Sequence, residues 1–188
     1  SRANAVKAGV SDKVGFYEQD LFEADFSSAS VLTLYLLERV NFQLRPRILQ
    51  ELKPGTRIVS HDFNMRDWQP DSTEIMATDF DNHTIYLWIV PAIAEGPWNL
   101  TIPAGDENLR FILHLEQKFQ ELSGYAVIAQ KRAQLMDPVL KGDKLSFKIF
   151  MPEKMESMTF TGIVHKNHME GTVEHYARAG KIEKRWYA

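Results

Sequence analysis

Three groups of residues in this sequence have side chains that do chemistry. Ser60-His61-Asp62 are contiguous, His165 and His168 stand three apart with His175 beyond them, and Asp20 follows the apolar-rich stretch 14–17. A hydroxyl, an imidazole and a carboxylate are the parts of a nucleophilic triad, but triads rarely use consecutive residues, and no G-x-S-x-G elbow occurs. Neighbours in a strand point to opposite faces, so His61 and Asp62 are expected to cap a loop and bond at the surface. The same alternation sets His165 and His168 on opposite sides of a strand unless a turn joins them. No nearby carboxylate completes a clear metal set there, and surface polar residues are the expectation. His61, His83 and His114 are too scattered to form a further group. No catalytic residue and no metal ligand is assigned. The chain has no cysteine, which excludes disulfides, thiolate zinc sites and a cysteine nucleophile and fits a cytoplasmic protein.

The elements that must position these residues fall into two grammars. Up to residue 90, helical and strand patterns alternate. Residues 2–8 read as a helix stopped by Gly9, 13–18 and 30–37 as strands, 44–52 as a helix stopped by Lys53-Pro54-Gly55, and 56–60 as a buried strand. That order predicts an α/β layer with a parallel sheet. From Thr84 onward, short alternating segments take over: 84–90, 98–102, 109–119, 125–129, 145–150, 159–164, 171–175 and 182–187. Glycine-bearing polar joints separate many of them, which predicts an antiparallel meander closed into a small barrel. The division is placed at 1–90 for the α/β part and 91–188 for the β module. Leu113, Leu115 and Phe119, with Leu145, Phe147 and Ile149, are expected to fill the barrel, a ligand cavity being the sharper alternative.

Two resemblances sit on these elements. Ser1-Arg2-Ala3-Asn4-Ala5-Val6-Lys7-Ala8-Gly9, Val14-Gly15-Phe16-Tyr17-Glu18-Gln19-Asp20-Leu21-Phe22, the strand 30–37 and Leu49-Gln50-Glu51-Leu52-Lys53-Pro54-Gly55-Thr56-Arg57-Ile58-Val59-Ser60 follow one another in order. Together they resemble the later part of a class I S-adenosylmethionine-dependent methyltransferase. The resemblance implies a partial Rossmann-like sheet, S-adenosylmethionine as cofactor, and methyl transfer to an acceptor it does not identify. It places Asp20 beside the adenine amine, Leu21 against the base, and Tyr35 at the mouth shared by cofactor and substrate. Open parallel sheets bind ligands outside the carboxyl ends of their strands, which suits these positions. The family's glycine-rich loop and the acidic end of its second strand have no counterpart, since no G-x-G-x-x-G occurs. The expectation is therefore a methyltransferase fragment without its first strand, first helix and second strand, binding the cofactor poorly alone and prone to self-association through exposed sheet edges. The second resemblance is short: Gly96-Pro97-Trp98 is similar to the Gly-x-Trp that opens lipocalin-like barrels.

The chain of 188 residues carries a net charge of −3, which disfavours a non-specific nucleic-acid binder. The longest apolar run, 85–94, reaches only about half of the ~20 residues a membrane helix needs. The partners expected are the small-molecule cofactor and a methyl acceptor. A different class stays open, in which the chain is a non-enzymatic binding protein that uses the β module.

Overall fold

The computed structural model describes residues 1–78, 81–104, 108–151, 156–177 and 180–188. Small residues at helical spacing build α1 (Arg2–Lys7), after which Gly9 takes the left-handed backbone, φ 65°. Residues 13–18 do not form the expected strand: no described segment pairs with them, and extended backbone without a ladder is not a strand. β1 (Val31–Leu34) and β2 (Arg57–His61) run parallel, in register from Val31 opposite Arg57 to Leu34 opposite Ser60. A parallel pair needs a crossover, and α2 (Glu38–Glu51) supplies it, burying Leu44 and Ile48 one turn apart.

β3 (Ser72–Ala77) and β4 (Asn82–Ile89) complete a four-stranded sheet in the order β1-β2-β4-β3. Trp68 and Trp88 are fully buried beneath it with Ile58 and Met65, and the Trp88 indole donates to Trp68 O at 2.9 Å.

The second half is a closed, up-and-down antiparallel barrel. Its strands are β5 (Gly96–Ile102), β6 (Leu109–Lys118), β7 (Glu121–Ile128), β8 (Lys131–Lys141), β9 (Lys144–Met151), β10 (Glu156–Val164), β11 (Met169–Ala177) and β12 (Gly180–Tyr187). Each pairs with the next, and β12 returns to β5 at Tyr187 opposite Thr101. The interior is filled as expected: Leu113, Leu115, Leu145, Phe147 and Ile149 are buried. Phe147 and Phe160 stack with centroids 4.7 Å apart, and Trp186 meets Phe160 edge-on at 6.0 Å. Gly162 and Gly171 face each other across β10 and β11, leaving room for that indole: a Cβ on Gly162 would lie 2.5 Å from Trp186 Cζ2. Trp98 is half-buried against this core and donates to Ala94 O at 2.9 Å.

Phe119 departs from the expectation. It sits past the end of β6 at φ 57°, outside the barrel core, and packs on the sheet's core instead, stacked on Trp68 at 5.7 Å. The same contact carries a hydrogen bond from Trp68 Nε1 to Gln120 Oε1, 2.8 Å. The connection between sheet and barrel is pinned from both sides. Val90 N donates to Thr56 O (2.9 Å), Ala92 N to Gly142 O (2.8 Å) and Ala94 N to Gln117 Oε1 (2.7 Å). Among the described residues, no helix is long and apolar enough to cross a membrane.

Candidate functional site

β1 and β2 end side by side, and the residues that follow them open a cleft at the carboxyl edge of the sheet, where parallel sheets place ligands. A cavity of about 440 Å³ lies there, walled by Tyr35, Leu37, Val40, His61, Asp62 and Phe63 among others. Tyr35 is 82% exposed, with its ring 4.9 Å from that of His61. Phe63 is fixed from behind. Its carbonyl accepts from the buried Asn41 amide (3.0 Å) and from the Ser60 hydroxyl (2.7 Å).

The structure brings together what the strand rule set apart. Asp62 takes the left-handed backbone, φ 61°, which an aspartate tolerates better than most residues. The turn folds its carboxylate back toward His61, with Oδ2 3.1 Å from His61 Nδ1. His83, on β4, reaches the same oxygen through Nδ1 at 2.9 Å, while Asp62 Oδ1 accepts from Thr84 N–H at 2.8 Å. The His83 bond, then the Thr84 amide, hold the Asp62 carboxyl below its usual range, and Asp62 in turn raises His83. Sequence reading missed His83 because only the antiparallel register of β2 and β4 makes it a neighbour of residue 62.

The other histidine expectation also changes. A turn joins β10 to β11, so His165 and His168 stack with ring centroids 4.3 Å apart, and Glu170 Oε1 comes within 3.6 Å of His165 Nε2. A carboxylate therefore does stand near them. His175 is not part of this group; it lies opposite Met158, far along β11.

Asp20 and Leu21 lie apart from the residues that wall the Tyr35 cleft. Asp20 is exposed, and its Oδ1 accepts from Phe22 N–H at 2.8 Å, capping the turn that follows. Leu21 is half-buried against the sheet's core. Arg47 on α2 ties this turn down, donating to Phe22 O (2.6 Å) and Ala24 O (2.9 Å) while gripping Glu51 through two nitrogens. Arg47→Met is expected to raise amide hydrogen exchange in residues 21–24 about tenfold while leaving the barrel amides unchanged. An unchanged rate in 21–24 would mean that the turn holds itself. Asp20 keeps an exposed carboxylate able to accept a further hydrogen bond, apart from the cleft at Tyr35.

The comparisons with known proteins begin with the front of the chain. The family model described as the ANTKMT methyltransferase domain matches residues 1–72. A protein-lysine N-methyltransferase of Saccharolobus islandicus is 42% identical over 88 residues, covering 47% of this chain and 55% of the relative. A lysine N-methyltransferase of Mus musculus, named for an ATP synthase component, is 32% identical over 73 residues, 39% of this chain and 30% of that protein. Among solved structures, an RNA methyltransferase from Salinibacter ruber in complex with S-adenosyl-L-homocysteine is 50% identical, with a TM-score of 0.43 over 47% of this chain and 56% of that one. Residues 1–72 are thus similar to a methyltransferase domain. The chain spans about half the length of the Saccharolobus relative.

Proposed function

We propose that the protein transfers a methyl group from S-adenosylmethionine to the side-chain amine of a protein lysine, and that it works in the cytoplasm. The observation that carries the reading is the cleft at the carboxyl ends of β1 and β2, within the stretch that matches methyltransferases. Support for lysine comes from two relatives whose names state that acceptor. S-adenosylmethionine supplies an activated methyl group on sulfur. The chain's own residues bind and orient: Asp20 accepts from the adenine amine, Leu21 lies against the base, and Tyr35 stands at the mouth shared by cofactor and acceptor, with Leu37 and Phe63 beside it in the cleft wall. In-line placement is the main demand of such a transfer, so walls that fix the acceptor do most of the work. The β module, 91–188, follows the 1–90 unit as an acceptor-recognition or covering part. The edge strand β1, with Val31 40% exposed, supports self-association.

The test uses the full-length gene product, with methyl transfer from labelled S-adenosylmethionine to a lysine-bearing peptide and S-adenosylhomocysteine binding measured by calorimetry. Asp20→Ala is expected to weaken that binding about tenfold, with the methylated lysine located by mass spectrometry. Unchanged affinity removes Asp20 from the site. Absence of both binding and transfer rejects the enzyme reading. It would favour the binding-protein alternative, for which the barrel offers a cavity of about 220 Å³ whose wall includes Glu156, His175 and Lys184.

A further inference from the structure

The two histidine clusters and the barrel-end cavity are the features the methyl-transfer reading leaves unused. Of these, the geometry around Asp62 is the most specific. Two imidazole Nδ1 atoms and one carboxylate oxygen converge, with Asp62 Oδ2 3.1 Å from His61 and 2.9 Å from His83. The candidate ligand atoms of the three residues all lie within 4.8 Å of one another. Ligands at about 2.0–2.1 Å from a zinc-like ion stand roughly 3.3 Å apart at tetrahedral angles and about 2.9 Å apart at right angles. The two separations to Asp62 Oδ2, 3.1 and 2.9 Å, fall between or at those edges. Asp62 occupies the left-handed region, φ 61°, in the turn that carries its carboxylate back to the two rings.

The surroundings favour a cation. Asp81 adds a further negative charge toward His83, and no Lys or Arg pairs with Asp62 among the described residues. Thr84 N–H holds Asp62 Oδ1 at 2.8 Å, the kind of outer hydrogen bond that orients a ligating carboxylate. Two neutral imidazoles and one carboxylate are borderline ligands suited to zinc, cobalt or nickel rather than to magnesium or calcium. With three protein ligands, a tetrahedral ion keeps one position open, and the cleft walled by Tyr35 and Phe63 lies beside it.

We propose that His61, Asp62 and His83 form a three-ligand site for a divalent transition-metal ion, with its fourth position open to the Tyr35 cleft. The proposal stands apart from the methyl-transfer reading, because it concerns only what these three side chains hold.

The probe is cobalt(II), added to the metal-free protein and followed by visible absorption, with zinc as competitor. The expected result is about one ion per chain with the intense bands of a four-coordinate site, displaced by zinc. His83→Gln and Asp62→Asn are each expected to weaken binding at least about tenfold. His168→Gln, in the other histidine cluster, is expected to leave it unchanged. Circular dichroism checks that each variant remains folded; His83 is exposed enough on β4 for its replacement to leave the core intact. Absence of four-coordinate bands, or binding that survives His83→Gln and disappears in His168→Gln, overturns the proposal.

Discussion

Replacing Trp186 by alanine is expected to destabilise the barrel by about 3–5 kcal/mol, the usual loss for a large aromatic deleted from a packed core. Trp186 is 1% exposed and meets both Phe147 and Phe160 edge-on. Its indole N–H also lies over the carbonyls of Thr161 on β10 (3.2 Å) and Thr172 on β11 (3.0 Å). The residue therefore ties the last strand to two others, which matters because the β12–β5 closure is short, with Tyr187 opposite Thr101. The facing glycines forbid an easy repair: they leave a hollow shaped for the indole, and smaller side chains leave it empty. Urea unfolding followed by far-ultraviolet circular dichroism measures the loss. Trp186→Phe, which keeps an aromatic but gives up the N–H, is expected to fall between wild type and alanine. A midpoint within experimental error of wild type for Trp186→Ala would mean that the aromatic cluster does not hold β12.

Trp68→Ala carries a comparable expected cost, about 3–5 kcal/mol, for a different reason. Its ring is fully buried between Trp88 and Phe119, so it belongs to the sheet's core while touching a residue that follows β6. Its N–H donates to Gln120 Oε1, and Gln120 Nε2 donates in turn to Gln69 O at 2.7 Å. Trp68→Phe retains most of the packing and isolates the hydrogen bond, at about 0.5–1.5 kcal/mol. A double-mutant cycle with Gln120→Ala reads the coupling directly. Additive losses would mean that sheet and barrel do not stabilise each other through this contact.

Much of the architecture is legible in the sequence, and the misses have physical causes. β1, α2 and β2 overlap the segments that apolar spacing and the Lys53-Pro54-Gly55 stop mark, but α2 begins at Glu38, well ahead of the expected 44, and β1 ends at Leu34 rather than 37. Seven of the eight barrel strands follow from alternation and glycine joints, but β8 does not. Its pattern is broken at Asp137-Pro138, where Asp137 has φ 49° and the register with β9 shifts between Met136 and Val139. β3 was hidden because every one of its residues is exposed, so it carries no inward-facing set to alternate. The Tyr35 cleft was half legible, since strand ends could be located but not what faces them. The Asp62 cluster was illegible: it depends on one positive φ and on the pairing of β2 with β4, and local pattern encodes neither.

The pinned connection between sheet and barrel has a consequence for motion. A linker of free backbone would let the two parts tumble separately, each with its own shorter correlation time. Here Val90, Ala92 and Ala94 each spend their N–H on a partner, and Gln117 clasps the carbonyls of Ala92 and Phe119 at 2.9 Å and 2.6 Å. Such a joint leaves few free amides to act as a hinge, and it meets the sheet where Val90 pairs with Thr56, at the amino end of β2 and thus the opposite end of that strand from Tyr35.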